Sequence, residues 1–427
     1  MATTTIDSNL SGYQYGYLLS VDGDDLIVAP GARVEGTSQF GSGIYAQYSN
    51  QTITVEGTVV GGRAIIMGGH EATSANNTLV VGASGLVQGV DFGAWLFGSG
   101  TMVTNQGRIE GTYTGLCIMA SGDSTVENWG IISGGAQGLA VFDDSYSEGS
   151  RTTFLNYGSL LHSNVLPDGV AYRGSDQVDR FGNYGTVQGD IELGGGDDLF
   201  DGLGAVTMGA VYGGDGNDYF WPGEGTDVFH GGAGNDALDF RNAEGLWLSL
   251  VDGTGTGAAR GDTYVGFETV FGSDRGNDTL IGNDVANTLV GMGGDDRLIG
   301  GKGRDILAGE LGWDRLTGGS GRDAFIFAAP DAGFDRITDF GSTRGNNDLI
   351  AIMADGFGLD LPFGLLDPSA FRSGTSNRAR DVDDRFIFRT TDKTLWFDED
   401  GRGGDGPVMI ADLQYNARLT AADILIV

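Results

Sequence analysis

The sequence predicts an all-β protein: a parallel β-helix followed by a parallel β-roll, both forms of β-solenoid, and then a C-terminal β cap. Three observations predict it. Glycine supplies 78 of the 427 residues and proline only 7, against a usual glycine share of roughly 7 percent. A nine-residue repeat, with glycine, aspartate and an apolar residue in fixed phase, runs through residues 213–239 and 273–326. A looser repeat of 22 to 28 residues fills residues 24–190. Fixed periods of these lengths mark stacked solenoid turns. Glycine has no three-residue period, which excludes a collagen helix, and 40% hydrophobic residues are too many for a disordered acidic chain.

In chain order, residues 1–23 read as a cap strand, because solenoids need covered ends. Tyr13, Tyr15 and Tyr17 alternate along one strand face, as a cap or as an end-to-end or glycan contact. Residues 24–190 form the β-helix. Its clearest copies begin at Asn105, Asn128, Asn156 and Asn183, spaced 23, 28 and 27 apart. Each carries Gly two positions on and then a short strand. The recurring Asn is placed to stack at a turn and satisfy backbone between rungs.

Residues 191–240 open the β-roll, residues 241–272 form a spacer, and residues 273–326 form a second roll block. In the nonapeptide, glycines at positions one, two and four let six residues curl with carbonyls inward. An aspartate at position six adds a charged oxygen, and positions seven to nine make a strand whose middle residue faces the core. Two nonapeptides complete a turn, so loops 18 residues apart stack about 4.8 Å apart. Asp278, Asp296 and Asp314 then form one column, and Asn287, Asp305 and Asp323 the other. The first block supplies Asp198, Asp218, Asp227 and Asp236.

Carboxylates at that spacing repel by on the order of several kcal/mol at low effective dielectric unless a cation lies between them. Calcium fits, since it takes six to eight hard oxygens in mixed carbonyl and carboxylate shells. Zinc does not, for want of His and Cys. The expected calcium loops therefore also include Gly214, Gly216, Gly223, Gly225, Gly232 and Gly234 in the first block. In the second block they include Gly276, Gly294, Gly301, Gly303, Gly312, Gly319 and Gly321. Three loops depart from the pattern: Asn287 stands for Asp, Leu193 for the first glycine, and Ser273-Asp274-Arg275 replaces another opening. These are expected to bind weakly or to serve as ends.

These residues resemble the RTX, or haemolysin-type, calcium-binding nonapeptide repeat. Residues 327–427 keep Gly333-Phe334-Asp335-Arg336-Ile337-Thr338-Asp339-Phe340, Asp348-Leu349-Ile350 and Thr394-Leu395-Trp396-Phe397-Asp398-Glu399-Asp400-Gly401, and close on Asp423-Ile424-Leu425-Ile426-Val427. That order is similar to the C-terminal region of serralysin-type proteins. The resemblance implies export by a type I secretion apparatus through an uncleaved C-terminal signal. It also accounts for an N-terminus with neither a basic nor an apolar leader region. The terminal residues read equally as the last strand of the cap. Asp398, Asp400 and Asp405 form a further calcium loop or a plain acidic turn.

Charge excludes other partners. The formal net charge is -34, so neither nucleic acid nor an anionic membrane surface is expected to bind, and no apolar run is long enough for membrane insertion. Metalloprotease chemistry is excluded because His70, His162 and His230 form no His-Glu-x-x-His pair. Two long segments hold the best catalytic candidates, Asp143, Asp144, Arg151, His162 and Tyr172, with general acid and base roles, or simply a solvating role in loops. His70-Glu71 is a lesser candidate. Subtraction favours a secreted calcium-binding structural or adhesive protein of the bacterial cell surface or extracellular matrix, folding on calcium after export. Its partners would be cell-surface glycan or further copies of itself. The alternative is an extracellular polysaccharide-acting enzyme, of lyase or epimerase class, with an RTX secretion module.

Overall fold

A computed structural model describes residues 2–69, 74–143, 149–163, 169–223, 225, 227–330, 333–341, 347–358, 361–404 and 406–427. Among them the regular structure is β-strand, relieved only by the single 3-10 turns Pro368–Ala370 and Ala421–Asp423. The chain divides into two compact units, Met1–Asp236 and Ala237–Val427.

In the first unit most rungs have three short strands, two of which run together as one long strand in Thr58–Met67 and Leu86–Gly98, and strands pair in parallel with their counterparts one rung on. Thr3–Ile6 lies on Asp25–Val28, which lies on Thr52–Val55 and then Thr78–Val81. Alternating side chains point in and out, so Leu26, Ile53, Leu79, Val103, Val126, Phe154, Phe181, Phe200 and Phe220 stack in one register. All nine are essentially fully buried. The change from aliphatic to aromatic at Phe154 fills the interior with rings whose centres lie 5.0 to 6.1 Å apart from Phe154 to Phe220, a spacing suited to aromatic contact.

The asparagine repeat acts as the sequence implies. Asn105 Nδ2 donates to Asn128 Oδ1 at 2.8 Å, Asn128 to Asn156 at 2.8 Å and Asn156 to Asn183 at 2.9 Å. The same nitrogens donate to the carbonyls of Ile131, Ser159 and Thr186. Buried amides that could not be left bare are thereby paired along the stack.

Residues 1–23 hold three strands rather than one. Thr3–Ile6, Leu10–Gly12 and Tyr15–Leu19 make a complete first rung on the next. Tyr13 precedes the third strand and is exposed, while Tyr15 stacks on Tyr45 with ring centres 5.2 Å apart. Pairing crosses residue 190 without a break, because Tyr172 is in register with Ile191 and Ile191 with Val211. Rungs narrow gradually there: Val206–Met208 keeps the third strand, and the next step pairs Val211 with Phe229, 18 residues on.

The second unit continues with two-strand turns. Leu280, Leu298 and Leu316 are in register on one side, and Leu289, Leu307 and Phe325 on the other. All six are fully buried. The spacer contributes an antiparallel hairpin, Leu246–Ser249 with Thr254–Gly257, whose first strand continues the roll by pairing with Thr279–Ile281. The cap carries the antiparallel strands Phe386–Arg389, Thr394–Phe397 and Val408–Leu413. Ile424–Ile426 lies parallel on Leu349–Ile352, so the apolar tail is a buried strand.

Candidate metal centre

The aspartates do form columns, through one repeated bond. Along these columns the backbone N–H at position six of one loop donates to the side chain at position six of the next loop in the stack. In the first unit Asp179 donates to Asp198 Oδ1 at 2.7 Å, Asp198 to Asp218 at 2.9 Å and Asp218 to Asp236 at 2.8 Å. In the second unit Asp278 donates to Asp296 and Asp296 to Asp314, both at 2.7 Å. Opposite them, Asn287 donates to Asp305 at 2.9 Å and Asp305 to Asp323 at 3.0 Å.

That bond uses one carboxylate oxygen and leaves the other. Oδ2 of Asp198, Asp218, Asp296, Asp305, Asp314 and Asp323 is buried without a hydrogen-bond partner, in residues no more than 2% exposed. A buried anionic oxygen without a partner is costly. Burial therefore pushes the Asp296 carboxyl up to about 8, Asp305 to about 7 and Asp198 to about 9, with neighbouring column carboxylates adding to the rise. Asp218 rises to about 6 for the same reasons.

The glycines have two distinct jobs. Positions two and four take positive φ, as at Gly214 (116°), Gly216 (137°), Gly301 (111°) and Gly303 (129°), and Gly225, Gly232, Gly234, Gly294, Gly312, Gly319 and Gly321 do likewise. Position one does not. Gly213 is there because a Cβ would lie 2.1 Å from Asp218 Oδ2, and Gly300 because one would lie 2.3 Å from Asp305 Oδ2. The first glycine thus makes room for the unpartnered oxygen rather than supplying backbone freedom. Gly223 and Gly276 also lack positive φ; a Cβ on them would strike the carbonyl oxygens of Gly202 at 2.1 Å and of Glu244 at 2.0 Å. Met292 (φ 73°) and Glu310 (φ 68°) stand at position two in left-handed backbone, so this loop shape is imposed even without glycine.

Two of the three departing loops close on themselves, while the third, which begins at Leu193, leaves Asp198 Oδ2 without a partner as the regular loops do. The Ser273 N–H and hydroxyl both reach Asp278 Oδ2, at 2.6 and 3.0 Å. The Asn283 N–H donates to Asn287 Oδ1 at 2.8 Å. Both are opening loops in the second unit, and their position-six side chains already have partners. Asp227 is buried, but Glu224 and Thr226 beside it lie outside the described residues.

Two column members lie beyond the nine-residue spacing. Asp314 donates its N–H to Asp335 Oδ1 at 3.2 Å, and Asp323 to Asp348 Oδ1 at 3.1 Å. The signal was present, since Ile337 and Ile350 follow these aspartates by two, as Leu316 follows Asp314. Only the interval changes. Asp398 is buried beside Asp400, while Asp405 lies outside the described residues. Among the described residues no three His, Cys, Asp or Glu side chains converge on one point. A cation held here would need backbone carbonyls beside the aspartates, a mixed shell that calcium accepts.

Among the described residues the catalytic candidates do not assemble into an open site. Tyr172 is fully buried between Phe154 and Phe181. The His162 ring is packed over Gly169, where a Cβ would lie 1.8 Å from it. Arg151 is exposed and anchored through its N–H to Asp123 Oδ1. His230 stacks on Tyr212 at 4.7 Å. Asp144, the side chain of Asp143, and His70-Glu71 lie outside the described residues.

A family model for the RTX calcium-binding nonapeptide repeat matches residues 210–239, 272–307 and 290–325. No curated protein matches the chain.

Proposed function

Because the chain carries RTX nonapeptide repeats, which bind Ca2+, we propose that it is a secreted structural or adhesive protein of the cell surface or matrix, completed by calcium outside the cell. The observation that carries this reading is the set of buried, unpartnered aspartate oxygens repeated along the columns. They fit a cation that is scarce in the cytosol and abundant outside, where modules of this affinity range, about 0.1 to 1 mM, are filled. Residues 24–190 supply a repetitive scaffold, and two of the catalytic candidates there, His162 and Tyr172, are buried in it. Export through a type I apparatus, with the C-terminal region as signal, belongs to the same proposal, as does a glycan or self-assembly partner.

Cell fractionation with and without chelator tests the role: calcium-dependent retention at the surface is expected. Turnover of an acidic glycan, lost on changing His162 but retained when a column aspartate is changed, would replace the structural reading with an enzymatic one. Far-ultraviolet circular dichroism tests calcium-coupled folding, with strand signal growing between micromolar and millimolar calcium.

A further inference from the structure

We propose that the first calcium loop lies inside the β-helix: residues 174–179, stacked on residues 193–198, hold a calcium ion through the carboxylates of Asp179 and Asp198. The segment reads Gly174-Ser175-Asp176-Gln177-Val178-Asp179 and lacks glycine at positions two and four. It lies outside the residues that match the repeat model. This inference rests on the calcium reading of the repeats.

The loop shares its contacts with the opening loop 282–287, and Ser175 and Gln177, like Asn283 and Val285 there, do not take the left-handed backbone of the glycine loops. The Asp179 N–H reaches Asp198 Oδ1 at 2.7 Å, the same bond and length as from Asp296 to Asp314. The Gly195 N–H, at position three, donates to the Ser175 carbonyl at position two of the loop before, at 2.8 Å. The corresponding bonds from Lys302 to Asn283 and from Leu311 to Met292 are 3.0 and 2.9 Å. Gly174 occupies the place of Gly213: a Cβ would lie 2.2 Å from Asp179 Oδ2, as one on Gly213 would lie 2.1 Å from Asp218 Oδ2. Ser175 closes the loop by donating its N–H to Asp179 Oδ2 at 2.8 Å, as Asn283 does to Asn287. That closure marks an opening loop.

The ligand signal comes from Asp198. It is 2% exposed, its Oδ1 is used by Asp179, and its Oδ2 has no partner. A hard cation between the two loops satisfies that oxygen. Calcium suits the site better than magnesium, which demands octahedral geometry and retains its waters.

The test uses the full chain. Native mass spectrometry of the calcium-loaded protein should show Asp179→Asn carrying one ion fewer than the wild type; an unchanged count overturns the proposal. Should that variant not fold, hydrogen exchange on the wild type decides. Amides 174–183 should gain at least about tenfold protection with calcium while amides 105–128 do not change. Exchange at 174–183 that ignores calcium, with 294–323 still responding, overturns the early loop alone. Loss of response in both segments overturns the calcium reading itself.

Discussion

At the residue scale, the two glycine jobs predict different costs. A Cβ on Gly321 would lie 1.4 Å from the Gly303 carbonyl oxygen, at a φ of +149°, so Gly321→Ala has nowhere to relax. Gly204 has φ +79° and nothing within 4 Å. Gly204→Ala should cost about 1 kcal/mol from left-handed backbone alone, and Gly321→Ala at least about 3 kcal/mol, measured by denaturant unfolding in saturating calcium. The column carboxyls predict a pH dependence. Their folded pKa values, about 6 to 9 for Asp218, Asp305, Asp296 and Asp198, lie above the roughly 3.9 of an unfolded aspartate. The calcium-free fold therefore binds more protons than the unfolded chain. Its stabilisation is full below about pH 4 and is lost as pH rises through the folded values. Chelated protein should melt higher at pH 5 than at pH 8, and calcium binding at pH 7 should release protons, measurable from the buffer dependence of the binding heat.

At the element scale, the asparagine ladder and the aspartate columns are parallel devices with different dependencies. Asn128→Ala removes the acceptor for Asn105 Nδ2 and the donor to Asn156 Oδ1. It should cost about 1–3 kcal/mol, equally with and without chelator, because each link of that ladder runs from amide to amide without a carboxylate. The ladder was legible because Asn105, Asn128, Asn156 and Asn183 each open a recognisable unit. The roll was legible because Leu280, Leu298 and Leu316 keep phase with the aspartates. Asp335 and Asp348 were not, since insertions of irregular length before them break the interval while leaving the stacking intact. Nor was the job of the first glycine, because a steric reason and a conformational one select the same residue. The first rung escaped notice because Thr3–Ile6 and Leu10–Gly12 are too short and too polar to stand out as strands.

At the scale of the whole molecule, the two ways of satisfying buried polar groups divide the chain by calcium dependence. Residues 24–170 pair their buried amides in ladders, whereas residues 210–330 hold columned aspartates whose buried oxygens a calcium ion would satisfy. Limited proteolysis in chelator should cut first within 210–330 and leave 24–170 protected, whereas millimolar calcium should protect both. Uniform digestion in chelator would mean that the asparagine-laddered rungs cannot hold without the metal-bound ones. Solenoid turns contact mainly their neighbours, so such partial order is what the architecture allows.

The position-six bond also gives the columns a direction. Every such N–H donates to a carboxylate further along the chain, from Asp179 towards Asp236, from Asp278 to Asp335 and from Asn287 to Asp348. A loop is therefore finished by the one after it, and Asp335 and Asp348 are the acceptors on which the second unit's columns end. A chain emerging from a narrow passage with its C-terminus leading would present each acceptor before the donor that needs it. Every arriving loop would then settle on a ready template. Threaded the other way, each would wait, its amide and its neighbour's charge both unanswered.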